Sequence, residues 1–194
     1  LEQIGIDAIY QFLGIQKPKS IVETSVVEIL SLTGADETEL VEFKETFSFN
    51  PKTGKKTDEN LRYAVLKVIT GFLNTRDGIL LIGIRDKKNL GDDESPIIGI
   101  EADTFFSGDQ DKYARAISDL VGQALGLSAA NLITIKFEEI GDKTVCRIEC
   151  KKSELGVYCK YKEHSEAPFV RVGTITKSPP HKEWDRWRES HGLG

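Results

Sequence analysis

Two stretches of this chain carry apolar residues at helical spacing, and the segments around them alternate or are apolar throughout. From Asp58 onward, Leu61, Ala64, Val65, Val68, Ile69, Phe72 and Leu73 recur at intervals of three and four, which is the stripe of a helix with one buried face. Asp58 suits the N-cap, and Asn74-Thr75 closes the element. The same stripe returns from about Gln110 in Tyr113, Ala116, Ile117, Leu120, Val121, Ala124 and Leu125. Shorter helices are expected over 4–14, stopped by Gly14, and over 20–34, stopped by Gly34.

Alternation in LVEFKETFSF (40–49) predicts a strand with Val41 and Phe43 inward and Glu42 and Lys44 outward. GILLIGIRD (78–86) is apolar on both faces, so it should be a central strand covered on both sides. Further strands are expected at 96–101, 133–140, 144–150, 156–161 and 168–174, with Gly141-Asp142 as a hairpin turn. Pro179-Pro180 ends the sheet, and HKEWDRWRESHG forms a terminal helix presenting Trp184 and Trp187. The fold class implied is α+β: a mixed, twisted sheet flanked by two long amphipathic helices. The expected organisation is a helical extension over 1–34, a domain over 35–180 and a C-terminal helix over 181–194.

At 194 residues, 39% hydrophobic and 29% charged, the chain has the composition of a folded globular protein. It contains no methionine and reads as a segment of a longer protein. No apolar run approaches the roughly 18–20 residues that span a bilayer, and no secretory pattern opens the chain. Cys146 and Cys150 point to one apolar strand face, and neither they nor Cys159 has CxxC spacing, so all three read as reduced core cysteines of a cytoplasmic protein. The net charge of −5 argues against general electrostatic adhesion to nucleic acid. Local basic clusters remain: Lys52, Lys55 and Lys56 in one loop, and Lys151, Lys152, Lys160 and Lys162 around a later strand. Each is a solvated surface in the simplest reading. There is no P-loop, dinucleotide turn, GxSxG elbow or HExxH helix.

The candidate chemistry lies in three acids, Glu37, Glu42 and Asp86. If the strands around 42 and 82 are neighbours, these carboxylates meet at one end of the sheet. Clustered carboxylates need raised pKa values or a cation between them. A hard divalent ion such as Mg²⁺ suits an all-oxygen set and points to phosphodiester chemistry. The competing reading is that they are ordinary solvated acids, and spacing alone favours it.

Three segments in order, VEFKET (41–46), GFLNTRDGILLIGIRD (71–86) and FVRVGTIT (169–176), resemble the Schlafen-type AlbA-like domain, a family described as nucleic-acid binders. The resemblance spans about Glu37 to Pro180. Gly71, Leu73 and Asp77 depart from the family pattern, as does the acidic run Gly91-Asp92-Asp93-Glu94. By this resemblance Glu37, Glu42 and Asp86 match the acidic trio of Schlafen-like ribonucleases, with Glu39 as a substitute for Glu37 if the register shifts by two. The resemblance implies a metal-dependent endoribonuclease holding Mg²⁺ or Mn²⁺ on the trio and acting on structured RNA such as transfer RNA. It also implies that a single-lobe chain pairs as a homodimer. Lys44, Lys160, Lys162 and Arg171 are the expected nucleic-acid contacts. Pairing of Lys44 with Glu42, and of Arg171 with a cross-strand carboxylate, are the structural alternatives. Trp184 and Trp187 would stack on bases or, more simply, pack on the sheet. The alternatives to the enzyme are a non-catalytic DNA- or RNA-binding module of a regulator or of a larger defence or ATPase protein, and a protein-interaction domain.

Overall fold

The computed structural model describes residues 24–91, 94–104, 106 and 108–194. The helix expected over 4–14 and the first part of that over 20–34 lie outside the described residues.

Helix α1 (Val26–Thr33) begins in a capping box, with Ser25 and Glu28 each bonding the other's backbone, and ends at Gly34 in the left-handed conformation. Strand β1 (Val41–Lys44) leads through a loop to α2 (Glu59–Leu73), capped by Asp58, and then to β2 (Gly78–Ile82). Helix α3 (Gln110–Leu125) and a single turn, α4 (Leu127–Ala130), precede the hairpin of β3 (Ile133–Ile140) and β4 (Lys143–Cys150). Two short pairs come next, β5 (Tyr158–Cys159) with β6 (Ala167–Pro168), and β7 (Val170–Val172) with β8 (Ile175–Lys177); α5 (His181–His191) is last.

The main sheet has the order β1-β2-β4-β3, with β1 parallel to β2 and the other neighbours antiparallel. It is therefore mixed, and the α+β class stands. Every residue of β2 is buried, as its unbroken apolar run requires. On one face Leu80, Ile82, Cys146 and Ile148 pack against α2 and α3; on the other Val41, Phe43, Ile79, Leu81 and Val145 pack against Val26 and Ile29 of α1. All three cysteines are free and buried. Burial drives the Cys159 thiol up to about 11 and those of Cys146 and Cys150 higher still, so none forms a reactive thiolate at neutral pH.

Several strand expectations need correction: that over 78–86 ends at Ile82 and that over 156–161 shortens to Tyr158–Cys159, and three others change more. The strand expected over 40–49 stops at Lys44, because the N–H groups of Phe47, Ser48 and Phe49 turn onto the carboxylate of Asp103 instead of a neighbouring strand (2.5, 2.9 and 2.5 Å). The strand expected over 96–101 is reduced to an isolated Ile84–Ile97 bridge and a 3₁₀ turn at Ile100–Ala102. Pro96 lacks a donor, and Gly99 at φ 77° turns the chain across the exit of β2, where Ile98 and Gly99 both donate to the carbonyl of Gly83. The last expected strand divides into β6 and β7, and β7 turns back at Gly173-Thr174 into β8.

Asp103 is fully buried and also accepts the Tyr113 hydroxyl at 2.6 Å, so one carboxylate ties the loop after β1 to α3. Asp103→Ala strands four donors, three of them buried and the Phe49 N–H partly so, and should cost more than about 3 kcal/mol. Urea unfolding checks this, and a loss within about 0.5 kcal/mol, the range of a neutral surface change, would disprove the role.

Candidate functional site

The site lies at the C-terminal end of β1 and β2. A cleft of about 390 Å³ opens there, lined by Glu37, Lys44, Glu45, Asn50, Lys52, Asp86 and Lys88 among others. The parallel register that sets Lys44 opposite Ile82 also brings the two strand ends level. Asp86, four residues past Ile82, is thereby carried to the end of the strand that bears Glu42.

Glu42 does not face solvent as expected. It shares the face of Leu80, and that face is covered by α2 and the β7–β8 hairpin. Alternation located the strand but could not show that both its faces are covered. One Glu42 oxygen receives Arg171 Nη1 at 2.8 Å and the other receives Lys44 Nζ at 2.5 Å. Arg171 also donates to the Thr38 carbonyl (3.0 Å) and Thr176 Oγ1 (3.1 Å), and its guanidinium lies 4.5 Å from the centre of the Phe72 ring. Its backbone N–H is held by Thr75 Oγ1 at 2.9 Å. Gly71 makes the close approach possible, since a Cβ there would sit 3.1 Å from Arg171 Cγ and 3.2 Å from a Thr176 methyl. The departure noted at Gly71 thus has a packing reason, one that offsets the usual cost of glycine in a helix.

Glu37 accepts the Phe43 N–H at 3.2 Å and lies 3.9 Å from Lys44 Nζ. Burial, and after it the charge of Glu42, raises the Glu37 carboxyl above its ordinary value, with Asp86 adding to the effect; Lys44 and the Phe43 N–H act against it. Asp86 caps the 3₁₀ turn Lys87–Asn89 through the Lys88 N–H (3.2 Å) and pairs with Lys88 Nζ at 2.5 Å. That hydrogen bond is the main reason the Lys88 ammonium is raised, and Glu37 and Glu42 contribute through their charge.

The side chains of Glu37, Glu42 and Asp86 are 16, 10 and 12% exposed. They are not the ordinary solvated acids that spacing alone favoured, and Glu42 and Asp86 both lie within electrostatic reach of Glu37. Three cations, Lys44, Lys88 and Arg171, stand against the three acids. Among the described residues, no set of three His, Cys, Asp or Glu side chains is placed to hold a metal ion. Both oxygens of Glu42 and both of Asp86 already have partners, with which Mg²⁺ or Mn²⁺ would have to compete for these carboxylates.

The remaining expected residues lie elsewhere. Glu39 pairs with Arg76 at 2.9 Å on the surface. Lys162 pairs with Glu59 at 2.7 Å, and Lys160 Nζ bonds the carbonyls of Lys162 and His164, closing its own loop. Trp184 is buried with Val170 and Leu193 and donates to the Tyr158 hydroxyl at 2.6 Å, which is the packing alternative. Trp187 donates to the Asn74 carbonyl at 3.0 Å. Sequence reasoning gave Asn74 no role beyond ending a helix. It is fully buried and bonds both polar groups of Val157 and the Phe169 carbonyl, fastening α2 to the late strands (2.8–2.9 Å). Its signal was an amide at a helix end amid apolar residues.

Arg171→Met should cost about 3–5 kcal/mol, because Glu42 keeps its buried charge without the guanidinium. Arg171→Met with Glu42→Leu should recover most of that in urea unfolding; an equal loss in the double variant would deny the coupling. For Glu37, whose folded pKa is raised, the contribution to stability is fully present below the ordinary value of 4.5 and lost as pH rises through the folded value. Glu37→Gln should therefore have a higher melting temperature than the parent protein at neutral pH. The gap should close below about pH 4.5, where the unfolded chain also binds the proton. A pH-independent gap would refute this.

The family described as Schlafen, AlbA_2 matches residues 37–180. Among solved structures, the DIP2311 protein of Corynebacterium diphtheriae is similar at a TM-score of 0.55 and 17% identity, over 80% of this chain and 24% of that one. The N-terminal domain of a RecG-related protein from Nitrosomonas europaea is similar at a TM-score of 0.52 and 18% identity, over 81% of this chain and 92% of that one. This chain thus spans about a quarter of the length of the first and nearly all of the second, and both likenesses concern the fold. No curated protein matches the sequence. With a family match over about three-quarters of its length, beginning at the first acid of the trio and running past Arg171, the chain belongs to the Schlafen AlbA_2 family.

Proposed function

We propose that this domain binds nucleic acid at the cleft beside β1, as a module of a regulator or of a larger defence or ATPase protein. The observation that carries the reading is the set of three acids and three cations at one end of the sheet, in a chain of the Schlafen AlbA_2 family. With Lys44 and Lys88 lining the cleft beside Glu37 and Asp86, and Glu42 paired to Arg171 and Lys44, the cleft repels a phosphate far less than three bare acids would. The fold likeness to a domain from a protein described as ATP-dependent DNA helicase RecG-related is in keeping with a modular role.

The second reading is a metal-dependent endoribonuclease acting on structured RNA such as transfer RNA, in the cytoplasm and with a homodimer supplying a second lobe. The placement of Glu37 favours it, since burial and the charges of Glu42 and Asp86 together raise the cost of its own charge. It requires Lys44 and Lys88 to give up their carboxylates before Mg²⁺ or Mn²⁺ could be held.

The two readings separate when the protein is incubated with transfer RNA and with duplex DNA, in EDTA and in Mg²⁺ or Mn²⁺. Glu37→Gln and Asp86→Asn are the informative variants, because Glu42 also holds β7 in place. Binding that leaves the nucleic acid intact under every metal condition is the expected result. Metal-dependent cleavage lost in both variants, with binding retained, would establish the ribonuclease. Absence of binding would overturn both.

A further inference from the structure

The cluster Lys52, Lys55 and Lys56 has no part in the acid–cation set, yet its loop forms one wall of the cleft through Asn50, Pro51 and Lys52. All three lysines are exposed, and none makes an ion pair with a described residue. The loop that carries them is nevertheless tightly held. Asn50 N–H donates to the Lys55 carbonyl (2.9 Å), and Gly54 N–H returns to the Asn50 carbonyl (2.8 Å). The Asn50 side-chain oxygen accepts the N–H groups of Lys52 (3.0 Å) and Thr53 (3.3 Å), while its amide donates to Asp58 at 2.6 Å. Asp58 is in turn the cap of α2 and is tied by its N–H to the Ser48 carbonyl at 2.8 Å.

An exposed loop of seven residues held this way presents unpaired ammonium groups without the ordering cost of a flexible tail. The chain's net charge of −5 does not cancel this local field, because screening confines exposed charges to about 10 Å at 0.1 M salt. We infer that residues 50–56 are a phosphate clamp, gripping the backbone of a nucleic acid at the mouth of the cleft. This rests on the nucleic-acid reading above and adds the element that supplies the electrostatic grip. A polyanion backbone is the ligand the geometry suits, since all three lysines are exposed within five residues of one held loop, and Lys52 among them lines the cleft.

The test uses the whole chain with a fluorescein-labelled RNA hairpin and a DNA duplex of the same sequence, titrated by anisotropy over a range of salt concentrations. Lys52→Gln/Lys56→Gln removes two clamp charges. Lys151→Gln/Lys182→Gln removes two others, from the residue after β4 at the opposite end of the sheet and from α5. The clamp variant should lower the slope of log affinity against log salt by about 1.5, since each phosphate contact contributes about 0.7 to 0.9. The remote variant should leave the slope unchanged, and Lys52→Arg/Lys56→Arg should retain it. Matching melting temperatures would show that the loop variants fold. Equal effects from the clamp and remote pairs would overturn the clamp alone. Failure of the parent protein to bind either probe would overturn the nucleic-acid reading, and the clamp with it.

Discussion

Arg171 of β7 and Glu42 of β1 meet beneath the edge of the sheet, and the seating of the β7–β8 hairpin against β1 and α2 depends on that contact. A buried ion pair adds little stability over an apolar replacement, but losing one member leaves the other's charge poorly compensated, and without Arg171 only Lys44 would still pair with Glu42. Here the guanidinium is further engaged by the Thr38 carbonyl, Thr176 and the face of Phe72. The β7–β8 hairpin therefore cannot slide along α2 without stranding Arg171. Asn74, at the same C-terminal end of α2, fastens the late segment through Val157 and Phe169.

Because Glu42 is committed to this pair, the three acids are not equivalent. Glu42 is chiefly a structural anchor that also shapes the field of the cleft. Glu37 experiences the combined burial and repulsion, which places its proton under the control of its neighbours. Asp86 is bound to its own turn and to Lys88, the most exposed of the three counter-cations, with a side chain 69% exposed against 25% for Lys44 and 1% for Arg171. Of the three cation contacts, the Lys88 one is the easiest to break, since an exposed lysine gains solvation when it leaves.

The cleft thus combines a nearly neutral floor with a positive rim. The floor is set by side chains from four elements distant in sequence, whereas the rim is a local loop closed by Asn50. Their origins explain why one required the whole fold and the other is a property of a short segment.

Much of the architecture was legible in the residue pattern. The stripes of α2 and α3, the capping aspartate at 58, and the unbroken apolar run of β2 are local signals whose pattern directly reflects burial. The ordered motifs identified the family, and the apolar setting of the cysteines made them core residues. Pattern could not say that the second face of β1 is covered, because alternation reports one buried face and is silent on what lies over the other. It could not separate a strand from an irregular crossing at 96–101, where a positive-φ glycine and hydrogen bonds to Gly83 decide the path. It offered Lys44 as a partner for Glu42 and a carboxylate for Arg171, and both pairings are present. It could not say that these are one carboxylate, nor assign partners to Asn74 or Asp103, since the contacts join residues 129, 95 and 56 positions apart. The sequence alone determined the elements, their order and the supply of acids and lysines, because propensity and periodicity act over a few residues. Tertiary structure alone decided which charges are buried together, because the energy of a buried charge depends on neighbours that only chain folding brings within reach.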